Sequence, residues 1–232
     1  MPDPVRTFDD VLPATFDALA RGGIAASQAG LPVAVRLFHH HLLRMFLQNG
    51  RPPTAGALTA PARRLGLDPH DALALLAEAD LVHTDSTGSR VVIAYPLSGR
   101  PSPHQVIMGS GVTLAAMCAV DALGIPIMAG DTATISSADP STGQPIRIHC
   151  DNDAWIWEPD TAVVLLAAEG NCSGPIANAC AHTAFHVTAD QAQAYLAGHP
   201  TRIGRVLGQA EAVEIAEAEF GPLLRPWDDP DS

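Results

Sequence analysis

The chain has 232 residues, 47% of them hydrophobic and only 16% charged, which is material for a sizeable buried core. Its formal net charge is −12 and all thirteen basic residues are Arg, a balance that argues against phosphate backbones and anionic membranes as partners. The longest apolar runs, such as Thr161 to Ala168, fall well short of the ~20 residues that a membrane-spanning helix requires.

In chain order, Met1 to Pro4 lacks the basic start and apolar core of a secretory signal, so a cytoplasmic location is expected. Residues 1–30 hold one short helical pattern, Phe8 to Ala20, followed by the flexible-looking Arg21 to Ser27. They read as an N-terminal arm that packs loosely or closes over another part of the fold. Leu31 to Gln48 places apolar residues at Val33, Val35, Leu37, Leu42, Leu43, Phe46 and Leu47, an amphipathic helix with Asn49-Gly50 as its C-cap. His39, His40 and His41 lie inside it. Successive helical residues point about 100° apart, so the three cannot serve one metal ion and read as a solvated or partly packed face. Thr54 to Gly66 and Asp68 to Asp80 are two further predicted helices, the second opened by an Asp68 cap and Pro69 at its first position. Leu81 to His83 and Arg90 to Ala94 are predicted strands around the turn Asp85 to Gly88.

Three helices and a hairpin over residues 31–100 outline a winged-helix-like module. The helix that would enter a major groove carries Asp68, Asp71, Glu78 and Asp80 and no Arg, and phosphates would repel it. The module therefore reads as structural, with no nucleic acid partner. Pro96 to Pro103, with three prolines, reads as a linker and puts a boundary near residue 100.

Residues 101–232 form the second predicted domain. Val112 to Gly124, rich in Ala, Leu, Met and Val with Asp121 its one charge, is expected as a mostly buried helix. Ala133 to Ser137 and Gln144 to His149 read as an antiparallel pair around the Ser141 to Gly143 turn, and Thr161 to Ala168 as a buried central strand. Asp190 to Leu196 and Ala210 to Leu224 read as closing helices. Without regular β-α-β alternation the fold class is α+β: a winged-helix-like helical module, then a mixed or antiparallel sheet with flanking helices.

The four cysteines, Cys118, Cys150, Cys172 and Cys180, include no C-x-x-C pair and do not form a disulfide framework in a cytoplasmic chain of this size. Cys150 ends a strand and reads as packing; Cys172 lies in the small-residue stretch Glu169 to Ala177, where a third thiol near a site is conceivable. Cys118 and Asp121, three apart on one helix, share a face. From that helix alone a buried thiol beside a locally bonded carboxyl is the plainer reading. The sharper one makes Cys118 a soft nucleophile or metal ligand whose protons Asp121 handles. Asn178 to His182, centred on Cys180, is its distant companion.

Leu114 to Pro126 around Cys118 and Asp121, then Thr134-Ile-Ser-Ser137, Ser141-Thr-Gly-Gln-Pro145 and Cys180-Ala-His182 with Phe185, resemble in order the catalytic core of alkylmercury lyases, over about residues 90 to 220. Thr183 and Ala184 stand where that family has aromatic residues, a departure expected to alter the pocket wall. The resemblance implies cleavage of a carbon–mercury bond to a hydrocarbon and Hg(II). Cys118 and Cys180 would bind and activate mercury, and Asp121, a further contact to the metal, would deliver the proton to carbon. It implies no organic cofactor and no permanent metal. Its partners would be an organomercurial substrate, small thiols and a mercuric reductase, with no membrane, and its winged-helix-like module would not read DNA. Two other readings compete: a lyase-fold relative with other cysteine chemistry in a biosynthetic pathway, and a winged-helix thiol or metal sensor.

Overall fold

The computed structural model describes residues 23–151, 154–169 and 180–225. The expected helix Phe8 to Ala20 and Cys172 lie outside them. Among the described residues there are seven α-helices: α1 (Gly23–Ala29), α2 (Val33–Asn49), α3 (Ala55–Arg64), α4 (Pro69–Glu78), α5 (Ala119–Ala129), α6 (Ala189–Ala197) and α7 (Gln209–Phe220). Strands β1 (Val82–Thr84), β2 (Val91–Ala94), β3 (Leu97–Ser98), β4 (Gln105–Met108), β5 (Thr113–Ala116), β6 (Ala133–Ala138), β7 (Pro145–Asp151) and β8 (Ala154–Glu158) form one sheet in the order β1-β2-β3-β5-β4-β6-β7-β8. A second sheet has β9 (Val163–Glu169) between β10 (Ala184–His186) and β11 (Arg202–Leu207). Every pairing is antiparallel. The fold is α+β, as expected.

Local chemistry explains the helix ends. The αL conformation of Gly50 (φ 68°) closes α2, its N–H bonding Phe46 O at 2.9 Å. Thr54 caps α3 through the N–H of Ala57, and Asp68 caps α4 through those of His70 and Asp71. The hairpin β1–β2 follows these helices, and β2 continues through β3 into the main sheet. No described helix is long and apolar enough to cross a membrane.

Five differences from the expected elements matter. Val112 to Gly124 is not one helix: Thr113–Ala116 is β5, pairing with β3 and β4, and the helix starts only at Ala119. Ala-rich composition suits a buried strand as well as a helix, and ladder pairing decided. The Pro96–Pro103 stretch, expected as a linker, supplies β3, whose Leu97 and Ser98 are buried between β2 and β5. Arg21 to Ser27 was expected to be flexible, yet from Gly23 onward it is helical. His39 is fully buried, bonded through Nδ1 to Gln28, while His41 is exposed. Burial pushes the His39 pKa down to about 3, so its ring is neutral. Strands β4, β8, β10 and β11 had no counterpart in the predicted elements.

Helix α5 is buried on all sides, from Ala119 to Pro126 and again at Met128. It packs between strands of the main sheet and α7. The approach to α7 is close because Gly124 faces Phe220: a Cβ there would run into the phenyl ring. Gly124→Ala should therefore destabilise the fold by about 1–3 kcal/mol through overpacking, read as a lowered urea midpoint; an unchanged midpoint would mean that α5 and α7 do not meet at this residue.

Candidate active site

Strand β5 delivers the chain, still extended at Cys118 (φ −149°), to the start of α5, where Cys118 is the N-cap and its Sγ accepts the N–H of Asp121 at 3.4 Å. The thiol and the carboxyl one turn on therefore face the same space. Cys180 comes from far along the chain, just before β10, and its Sγ donates to Asp121 Oδ2 at 3.4 Å across a separation of 59 residues. The two segments are tied by the N–H of Ala119 to the carbonyl of Thr183, 3.3 Å. One ligand atom each from Cys118, Asp121 and Cys180 lies within 4.8 Å of the others. All three residues are buried, at 4%, 2% and 7% exposure.

Burial dominates the electrostatics. It pushes the Asp121 carboxyl up to about 7, against the hydrogen bonds from Cys118 and Cys180 that hold it down. The Cys118 thiol is pushed up by burial and by the nearby Asp121, although it stands at a helix N-terminus. Cys180 is pushed well above an ordinary thiol, first by its contact with the Cys118 sulfur, then by burial and by Asp121. At neutral pH the thiols hold their protons, and Asp121 keeps its proton far more readily than an exposed aspartate.

Of the other residues singled out from sequence, His182 is not in the cluster: its Nε2 lies 3.4 Å from Glu169 Oε1. Phe185 is a core residue, edge-on to His104 and Trp157. Cys150 is buried on β7 opposite Trp155, in the wall of a separate cleft of about 850 Å³ with Trp157, Glu214 and Glu217. That cleft is roomy, but Cys118, Asp121 and Cys180 line instead a chamber of about 30 Å³. Chemistry, not volume, selects the chamber. Thr183 forms part of its wall, its hydroxyl taking the N–H of Ala167 at 3.3 Å and so fixing the segment after Cys180 to β9.

Two buried neighbours of the cluster escaped the sequence reading. Glu219 of α7 is 1% exposed, lines the chamber, and is pushed up to about 7 by burial, with the negative charge of Asp121 adding to the shift. The signal was there: Ala212, Ile215, Ala216, Glu219 and Phe220 are the buried stripe of α7, and one position of it holds a carboxylate. Tyr95 is fully buried, and its hydroxyl is pushed well above the usual phenol range by burial and by the charges of Cys180, Asp80, Asp121 and Cys118. No spacing marked it.

The sequence profile of the alkylmercury lyases matches residues 97–221. An alkylmercury lyase of Bacillus cereus is 33% identical over 125 residues, 53% of this chain and 56% of that protein. This chain thus spans about half the length of that relative. An alkylmercury lyase of Streptomyces lividans is 28% identical over 183 residues, 78% of this chain and 81% of the relative. A solved structure, the mercury-bound form of MerB2, superposes with a TM-score of 0.70 at 22% identity, covering 90% of this chain and all of that one. At that identity it speaks for the fold alone.

A raised carboxyl pKa means the folded chain keeps a proton that the unfolded chain has lost. The stability tied to Asp121 is fully present below its unfolded value near 3.8 and is lost as pH rises through about 7. Asp121→Asn, which cannot ionise, should gain on the natural protein as pH is taken from about 4 to 8, by on the order of a few kcal/mol at about 1.4 kcal/mol per unit. Urea titrations across that range check it; parallel curves for the two proteins would show that Asp121 ionises normally.

Proposed function

The chain belongs to the alkylmercury lyase family, and from that membership we propose that it cleaves the carbon–mercury bond of organomercurials by protonolysis, with Cys118 and Cys180 as mercury-binding thiols and Asp121 as proton donor. The observation that carries the proposal is the buried meeting of two thiols and one carboxyl around a single chamber. Mercury is a soft ion and thiolate the softest ligand that side chains offer.

The reaction balances with these groups alone. An organomercurial R–Hg–X exchanges its ligand X for the Cys118 sulfur, and the thiol proton leaves with X. Cys180 adds as the second sulfur, and its proton passes to Asp121, to which it is already hydrogen-bonded. Two thiolates place more electron density on the mercury-bound carbon than one. Asp121 then delivers its proton to that carbon as a general acid, R–H departs, and Hg(II) stays on the two sulfurs with Asp121 beside it. Coordination to mercury would acidify the Cys180 thiol, so that Asp121, an acid near 7, takes its proton and can pass it on. The scheme calls on no organic cofactor. Small thiols or a mercuric reductase would take the Hg(II) product, and a reducing cytoplasm would keep the sulfurs reduced.

The helical module before the sheet acts in this reading as structural support. Helix α4 carries Asp71 and Glu78 on its exposed side, beside the Asp68 cap, and a phosphate backbone would be repelled.

Three variants test the roles. Cys118→Ser and Cys180→Ser should each abolish hydrocarbon release from methylmercury and phenylmercury in excess thiol. Asp121→Asn should still take up the organomercurial, yet release hydrocarbon ~10²–10⁴-fold more slowly. Turnover of the natural protein with neither substrate would defeat the lyase reading, and undiminished turnover of Asp121→Asn would remove that residue from proton delivery.

A further inference from the structure

The two sulfurs reach the chamber on different footings. Cys118 follows the paired strand β5 and caps the buried helix α5, so both of its neighbours along the chain are held by regular structure. Cys180 stands before the turn at Ala181 and His182 that leads into β10. The end of that turn is firm: the Thr183 carbonyl takes the N–H of Ala119, and its hydroxyl takes the N–H of Ala167. Between Thr183 and the sulfur, the backbone bond is the N–H of Thr183 to the Cys180 carbonyl, at 3.4 Å. One anchor fixes a point and leaves a swing about it. A sulfur that has to stay 3.4 Å from Asp121 Oδ2 requires a second anchor.

His182 supplies one. Two residues on from the sulfur, its Nε2 lies 3.4 Å from Glu169 Oε1. The carboxylate is oriented independently of the imidazole. Glu169 is the last residue of β9, directly opposite Arg202 of β11, and Arg202 Nε lies 3.3 Å from the same oxygen. Arg202 is held in turn, since its guanidinium bonds the Tyr195 hydroxyl and sits over the Tyr195 ring, 5.4 Å from the centroid. Hydrogen bonds from Thr201 and Arg202 keep the Glu169 carboxyl below the usual carboxylate range. It is therefore an anion that only accepts, and Nε2 has to carry the hydrogen. The His182 and Glu169 side chains are 19% and 35% exposed, which separates them from the fully solvated pairs that contribute little.

We propose that His182 is the positioning residue of Cys180: with Thr183 it pins the turn to β9 at two points, Glu169 and Ala167, and so holds the second sulfur against Asp121. Without it the first sulfur still captures mercury, and the second closes on the metal less often. This rests on the two-thiol reading of the chamber and deepens it by assigning the residue that sets the second thiol in place.

The test separates the grip on metal from turnover, using the full chain. Retention of inorganic Hg(II) against a competing dithiol reads the two-sulfur grip with no carbon–mercury bond present. His182→Ala should weaken that retention and lower kcat for phenylmercury, each by about 10–100-fold, with KM little changed. His182→Gln, whose side-chain amide N–H reaches towards the same acceptor, should recover most of both. Glu169→Ala should match His182→Ala, and the double variant should lose no more than either alone, as expected of one shared contact. Undiminished Hg(II) retention in His182→Ala overturns the proposal. So do additive losses in the double variant, or a His182→Gln no better than His182→Ala. Retention that depends on His182 in a chain that turns over no organomercurial would keep the positioning role and sink the proposed reaction.

Discussion

The site depends on a sulfur atom serving as a helix cap. Elsewhere the caps that use a side chain use oxygen: Thr54, Asp68 and Thr188 each accept backbone N–H groups at the start of their helices. At α5 the acceptor is Cys118 Sγ, a weaker partner than oxygen, so that helix start gives up some local stability. In return the sulfur is fixed at the point where β5 becomes α5, with Asp121 one turn away. The pairing Leu97 to Ala116 and Gln105 to Ala115 determines where that turn falls. A one-residue slip of β5 would put Met117 in the place of Cys118.

Burial of the same helix then decides the charge state. A helix N-terminus favours thiolate and carboxylate, but desolvation outweighs it, and the pKa values of Cys118, Cys180 and Asp121 all move upward. A cluster of protonated groups costs little to bury, whereas thiolates and a carboxylate together would be three uncompensated charges. The thiols therefore give up their protons only when a cation arrives to balance the charge. A soft cation repays the lost protons with covalent metal–sulfur bonding. A hard one such as Mg²⁺ or Ca²⁺ prefers oxygen ligands and would not. In the proposed reaction, selectivity for soft metal would lie as much in keeping these protons on as in the sulfurs themselves.

Much of this was legible from residues alone, and the limits are physical. Helix ends that depend on one side chain or one glycine, at Gly50, Thr54 and Asp68, were readable because capping is local. The β6–β7 pair and the buried β9 were readable from alternation and from a continuous apolar run. Thr113–Ala116 and Leu97–Ser98 were not, because short Ala-, Leu- and Ser-containing segments become strands only when distant neighbours offer a ladder. Cys118 and Asp121 were placed on one helix face, and they do face one space, although Cys118 caps the helix and does not lie within it. The meeting with Cys180 followed from a resemblance; nothing local encodes a contact across 59 residues.

Glu219 shows how the same rules read from the other side. A carboxylate on the buried stripe of α7 breaks the apolar pattern of its helix, and such a break persists only where partners offset the cost of desolvation. The partners are the N–H groups of Gly23 and Ile24, the first two described residues of α1. The contact satisfies an acid inside the core and lies in the wall of the chamber. The apolar share of the joint is a single Ile24 side chain with the stem of Gln28, so α1 is held by direction more than by area.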